Sequence, residues 1–365
     1  MSKNLKLVNM TKKNNYLIWE EIEGQKSIAN TIGEKFLSIE KELSKFFKDY
    51  ERLFFLGCGS SYHVGIIGNF LHDFLTDKKS YYVHSSDFMF FERAYINKKS
   101  KNNDIYLLLS RTGHTTETVI ASKILKQKGL NSISISSMSD GGLIKNSKYP
   151  IILKNLKEEA VTATKSVVGF TIFVLYLTFL LANKLHLLKN FIGNSNTFYS
   201  SFYDYASSIE KIILKNNFNK YVFLGSGPNY GVAREAELKV KEMSLSNTEA
   251  FQTLEYRHGH KSVINSDTLI IFLISNVCAD YELKVAKEFK ELGARTLLIG
   301  DRISKSRSLG NYDYLIDIDL GVEDTFKTVF YQLFGQLIGY YQAIKKGIDP
   351  TNPKNLDYCV TINLE

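Results

Sequence analysis

The chain has 365 residues, of which 23% are charged and 44% hydrophobic, with a formal net charge of +8. Those values describe a globular protein long enough for two domains with a core each, and they exclude a disordered or collagen-like chain. The lysines are dispersed rather than gathered in a stripe, and no zinc-finger spacing or aromatic RNA-binding signature accompanies them. An anionic small molecule is therefore the expected partner, and nucleic acid is not.

Taken in chain order, "MSKNLKLVNMTKKNNY" lacks the apolar stretch of a signal peptide. Cys58, Cys278 and Cys359 lie far apart with no CxxC spacing, so a reducing, cytoplasmic setting is expected. Residues 1–29 form a lead-in, and "GEKFLSIEKELSKFFKDY" reads as a helix. The first half then gives strand "RLFFLG", a glycine turn, a helix and strand "YYVH". "DIYLLLSRTGHTTETVIASKILKQKG" is an apolar strand, a polar loop and an amphipathic helix; "NSISISS" and "YPIIL" add two strands. "VVGFTIFVLYLTFLLA", from Val167 to Ala182, falls short of the roughly 20 residues a membrane span needs and reads as a buried core helix, so no membrane is expected.

The second half repeats this order: "KYVFLG", a glycine turn, a helix, then "TLIIFLIS", "RTLLIG", "YDYLIDI" and a closing apolar helix "TVFYQLFGQLIGYYQA". No strand is assigned between the helix and "TLIIFLIS". Apolar strands alternating with helices indicate parallel sheets covered on both faces, hence an α/β protein of two doubly wound domains in tandem. The expected divisions are 30–190 and 200–347, with a tail at 348–365 near the active site. In this architecture binding loops lie at the carboxyl ends of the strands, where "GCGSSY", "GSGPNY" and "SRTGHTT" all fall.

The two glycine turns carry only the first half of a dinucleotide fingerprint, since Tyr62 and Tyr230 stand where the third glycine belongs. "SRTGHTTET" is more informative. Ser110, Thr112, Thr115 and Thr116 crowd around Gly113 between a strand and a helix, a phosphate cradle of hydroxyls and free N–H groups. A helix cap needs one hydroxyl, and the equivalent loop "SNVCADY" has lost nearly all of them. One half is thus expected to bind an anion, and the other to do something else. Glu235, Lys239 and Glu242 share a helix face at i, i+4 and i+7, a pattern that by itself reads as a solvated, salt-bridged surface. His258 and His260 flank a glycine. No ligand spacing marks them as a metal site, and one imidazole beside a carboxylate suits acid–base work better. No spacing implies a metal or organic cofactor.

"LGCGSSYHVG", "LSRTGHTTET", "EEAVTATKS", "EAELKVKEMSLSNTEAF" and "EYRHGHKSVI" together resemble tandem sugar isomerase (SIS, flavodoxin-like) domains over roughly residues 30–361. The resemblance is to the isomerase half of glucosamine-6-phosphate synthase and to stand-alone aminosugar-phosphate deaminases, AgaS-like enzymes and deglycases. It implies phosphate binding by Ser60 and Ser61 in the glycine turn and by Ser110, Arg111, Thr112 and Thr115 in the second loop. Arg111 stands where the synthase more often has Gln. Val161 and Thr164 match the segment that closes over the sugar. Glu242 matches the glutamate that moves a proton between C1 and C2, with Lys239 beside it. His258 matches a ring-opening histidine supplied by a neighbouring subunit, so a homodimer sharing that loop is implied.

Departures from the synthase sharpen the expectation. No glutaminase segment precedes the first domain, so glutamine-dependent synthesis is not expected. "NLDYCVT" puts Tyr358 where the synthase has an imine-forming lysine, so the covalent step should be missing. A substrate that brings its own nitrogen needs no such lysine. The resemblance thus implies an aminosugar-phosphate deaminase/isomerase converting glucosamine 6-phosphate or galactosamine 6-phosphate to a ketose 6-phosphate and ammonia. A ketose/aldose phosphate isomerase or a deglycase would use the same groups. A non-catalytic sensor would not need Glu242 and His258.

Overall fold

The computed structural model describes residues 16–96 and 103–362. The first half of the lead-in and the last three residues of the tail lie outside them. Helices α1 (Leu17–Glu23) and α2 (Ile28–Phe46) lead into β1 (Arg52–Gly57), α3 (Ser60–Leu75), β2 (Lys79–His84) and α4 (Ser85–Phe91). There follow β3 (Asp104–Leu109), α5 (Thr116–Gln127), β4 (Asn131–Ser136), α6 (Gly142–Asn146), β5 (Tyr149–Ile152) and the apolar α7 (Lys165–Leu181). Helices α8 (Leu187–Ser200) and α9 (Phe202–Lys215) cross to β6 (Lys220–Gly225), α10 (Asn229–Ser244), β7 (Asn247–Phe251) and β8 (Thr268–Leu273). The chain closes with α11 (Ala279–Glu291), β9 (Arg295–Gly300), β10 (Tyr314–Asp317), α12 (Asp324–Phe330) and α13 (Gln332–Lys346).

Each half holds one five-stranded, wholly parallel sheet, ordered β2-β1-β3-β4-β5 and β10-β9-β8-β6-β7. Counted within its own half, the second order is the first. The central strands β3 and β8 are buried at every residue, as strands covered on both faces must be. Strand β7 is the element absent from the sequence reading. "NTEAF" has weak strand propensity and sits at a sheet edge, where only Thr248 and Ala250 turn inward. The closing apolar segment is two helices, α12 and α13, meeting at Tyr331.

Helix α7 is buried almost throughout and lies in a hydrophobic core that draws on both halves, with α13 and α9 on the other side. Among the described residues no helix is long and apolar enough to cross a membrane. Two smaller apolar clusters lie one against each sheet.

The paired glycine turns follow from steric need. A Cβ on Gly57 would lie 2.6 Å from the backbone carbon of Ser61, and one on Gly225 would lie 2.4 Å from the carbonyl oxygen of Asn229. Gly59 and Gly227 adopt φ of +52° and +57°, the left-handed region that favours glycine. Both glycines of each GxG therefore serve a tight strand-to-helix turn.

Candidate active site

Strand order reverses between β1 and β3, so the turn after Gly57 and the loop after Leu109 open side by side at one crevice. That crevice is lined by Ser60 and Ser61 at the start of α3 and by Ser110, Arg111, Thr112 and Thr115 before α5. Val161 and the α7 residues Ser166 and Phe170 form another wall, and Asp357, Tyr358, Cys359 and Val360 of the tail close it. From the second half, α10 contributes Lys239 and Glu242.

The polar loop is tightly organised. Ser110 Oγ accepts from the Gly113 amide at 3.1 Å and lies 3.2 Å from Thr115 Oγ1. The hydroxyl of Thr112 accepts from the His114 amide and meets Cys359 Sγ at 3.2 Å. The N-termini of two helices, α3 and α5, meet at this crevice with their hydroxyls, an arrangement suited to a dianionic phosphate, although the Thr116 amide is taken by the Val360 carbonyl.

Glu235, Lys239 and Glu242 are not a solvated face. Helix α10 packs on α3, and Glu235 and Lys239 retain about 1% side-chain exposure against 20% for Glu242. The Lys239 ammonium lies 2.6 Å from Glu242 Oε2 and 3.4 Å from Glu235 Oε1. Burial pushes the Lys239 ammonium toward losing its proton, but the Glu242 and Glu235 carboxylates outweigh burial and raise its pKa. Lys239 is therefore a fixed positive charge, and of the two α10 residues that line the crevice Glu242 is the more exposed.

Arg111 lines the crevice, yet its guanidinium is turned to the protein. It donates to the carbonyls of Ala160 (3.1 Å), Val161 (2.8 Å) and Tyr358 (2.9 Å) and stacks 4.2 Å from the Tyr358 ring centroid. The Tyr358 hydroxyl donates to the Glu158 carbonyl at 2.6 Å. Arg111 and Tyr358, two of the places where the sequence departs from the synthase pattern, are thus in contact. Thr164 does not line the crevice. It is fully buried, donating its amide and hydroxyl to Glu158 at 2.8 and 2.9 Å as α7 begins. His258 is exposed on a 3-10 turn after β7, outside the crevice of its own chain.

The second half has the same crevice, plugged from within. Ser226 Oγ and the Ser275 amide donate to Glu282 at 2.6 and 2.8 Å, while the Asn276 amide and the Ser275 hydroxyl donate to Asp324. Carboxylates of the chain occupy the donors that an external anion would need. The offset of 168 residues that relates Gly57 to Gly225 also relates Ile67, Leu71 and Phe74 to Glu235, Lys239 and Glu242. Where α10 presents a charged face to the first crevice, α3 presents an apolar one, and Phe70 and Phe74 line the second.

A tandem α/β enzyme-like frame with one open anion crevice, reached by a charged helix from the other half, defines a class. The SIS domain model matches residues 46–181 and 215–334, and the chain belongs to the SIS domain family. It is 25% identical over 350 residues to the glutamine–fructose-6-phosphate aminotransferase (isomerizing) of Sulfolobus acidocaldarius, covering 95% of this chain and 56% of that protein. The chain spans about half the length of the curated relatives it matches. Among solved structures, a glucosamine-6-phosphate deaminase from Thermotoga maritima superposes with a TM-score of 0.76 at 28% identity over 94% of this chain and 99% of that one. A putative tagatose-6-phosphate ketose/aldose isomerase from Clostridium novyi shares the fold, with a TM-score of 0.84 at 23% identity over 97% and 96% of the two chains.

Proposed function

We propose that the chain is an aminosugar-phosphate deaminase/isomerase that converts glucosamine 6-phosphate or galactosamine 6-phosphate to a ketose 6-phosphate and ammonia. The observation that carries this reading is the Glu242 carboxylate, held by a buried ammonium 2.6 Å away and opening into the same crevice as the hydroxyl loop. Phosphate binding alone has no use for that pair. The likeness to the deaminase, the higher in identity of the two structural neighbours described, favours ammonia release over simple isomerisation.

The phosphate dianion sits on Ser60, Ser61, Ser110, Thr112, Thr115 and the N–H groups of the two helix starts. Arg111 acts through the tail it clamps rather than on the phosphate. His258, supplied by a second copy of the chain, moves the proton that opens the sugar ring. Glu242 removes the C2 proton of the open aldose and returns it to C1, while the carbonyl oxygen at C1 takes a proton to become a hydroxyl. Lys239 stabilises the negative charge that develops between these transfers. The C2 imine left behind adds water and expels ammonia, leaving the ketose. A lysine kept protonated between two carboxylates is no nucleophile, so no enzyme imine enters the scheme.

The test is ammonia release from the purified protein offered each of the two sugars, with Glu242→Gln as control. Release with at least one sugar, reduced at least ~100-fold in the variant, is the expected result. No ammonia from either, by folded protein that binds both, contradicts the deaminase reading and leaves a ketose/aldose isomerase or deglycase.

A further inference from the structure

His63 takes no part in the scheme above, yet it is buried at the boundary of the two halves. It lies on the first turn of α3, 5% exposed, and its Nδ1 is 2.8 Å from Glu235 Oε2 on α10, 172 residues away. A carboxylate can only accept, so Nδ1 carries the proton and donates it. From Glu235 the contacts run on through Lys239 to Glu242, at 3.4 and 2.6 Å. Four ionisable side chains thus form one line from the core to the crevice, and its last two, Lys239 and Glu242, line that crevice.

We propose that His63 is a positioning residue for Glu242: by holding Glu235 from behind, it keeps the Lys239 ammonium committed to Glu242. This deepens the function proposed above and rests on Glu242 being the group that moves the proton. Lys239 has two carboxylates to choose between, and the shorter contact goes to Glu242. Glu235 is the more buried and, standing alone, the stronger competitor for that ammonium, because a charge out of water gains most from a partner. The imidazole N–H supplies part of what Glu235 needs. Burial would raise the Glu235 pKa, and Lys239 and His63 together bring it below the usual carboxylate range. Other ionisable groups act on this line: Arg111 on Lys239 from the crevice side, and near His63 there are Arg234 on α10, His84 at the end of β2, whose electrostatic partners include His63, and Asp87 on α4. The His84 ring stacks on Tyr62, and Arg234 and Asp87 both act electrostatically on that pair.

The variants are His63→Leu, which removes the donor, and His63→Asn, which keeps an N–H in the same place. In His63→Leu the ammonium moves toward Glu235. The expected result is a kcat lowered about tenfold with KM little changed, and an acid limb of kcat/KM displaced to higher pH. His63→Asn restores most of the activity and the wild-type profile. Glu235→Gln, which leaves Lys239 to Glu242 alone, displaces the acid limb to lower pH and keeps the proposal testable if His63→Leu does not fold. Crystal structures of the variants read the same effect without substrate, as a lengthened Lys239–Glu242 contact in His63→Leu and an unchanged one in His63→Asn. Wild-type kcat and pH profile in His63→Leu, or equal loss in His63→Asn, overturns the proposal. If the wild type turns over neither sugar, the function fails on its own, and the crystal structures decide the role of His63.

Discussion

Three of the five N–H bonds of Arg111 go to the carbonyls of Ala160, Val161 and Tyr358, and its guanidinium carbon lies over the Tyr358 ring. The tail is tied down at further points, with the Val360 carbonyl accepting from the Thr116 amide at 3.4 Å and the Ile362 amide donating to the Thr116 hydroxyl at 2.8 Å. Arg111→Gln removes the stacking and the fork, because one amide cannot serve three carbonyls. It should raise KM about tenfold with a smaller change in kcat, and the tail should be cut faster in limited proteolysis. Equal KM and equal cleavage would show that the tail needs no clamp. At this scale the hydroxyl loop was legible because four Ser and Thr side chains crowd one strand end. The direction of the Arg111 side chain was not, since its acceptors are backbone carbonyls 49 to 247 residues away. Thr164, carried over from the family's sugar-closing segment, turned out to cap α7 through Glu158. His63 went unread for the same reason as Arg111, its partner being on another helix in the other half.

Strand order, rather than any single motif, brings the two loops of the crevice together, and the glycine turns feed it. Gly57→Ala and Gly225→Ala meet the same obstacle, backbone of the following helix within 2.6 Å of the new Cβ. Each should cost about 3 kcal/mol of stability, read as a shift in the urea midpoint at unchanged slope. Only Gly57→Ala should also lower activity beyond what unfolding explains, because Ser60 and Ser61 follow it into the open crevice. Equal losses of activity would contradict the assignment of chemistry to the first crevice. The parallel sheets were legible from short apolar runs such as "YLLL" and "IIFL" bounded by turn residues, as strands covered on both faces carry. Strand β7 lacked that signal because an edge strand needs few apolar residues. The charged face of α10 was legible in its spacing but not in its burial, which comes from packing against α3.

Over the whole molecule, a duplicated frame carries unequal halves: one crevice is open, and in the other the chain's own carboxylates occupy the loop donors. Asp324 is the plug whose removal can be followed by pH. Burial raises its pKa, but the Lys327 ammonium and hydrogen bonds from Lys327, Ser275 and the Asn276 amide hold it below the ordinary 3.8. A depressed carboxylate adds stability that is present above the unfolded-state value and lost as pH falls through the folded one. Asp324→Asn leaves Lys327, itself fully buried, without its charge partner and should cost about 3 kcal/mol at neutral pH. That gap to wild type should close as pH falls below 3.8, with kcat unchanged at neutral pH. A gap constant with pH would place the cost in packing instead. The account as a whole turns on one atom transfer in the open crevice. The most direct measurement is the fate of deuterium in glucosamine 6-phosphate and galactosamine 6-phosphate labelled at C2, followed by NMR with wild type and Glu242→Gln. The account predicts that the label leaves C2 and appears at C1 of the ketose or in solvent, and stays in place with the variant. Deuterium lost from C2 at equal rates with both proteins would remove Glu242 from the chemistry, and label retained at C2 with wild type while ammonia is released would contradict proton transfer altogether.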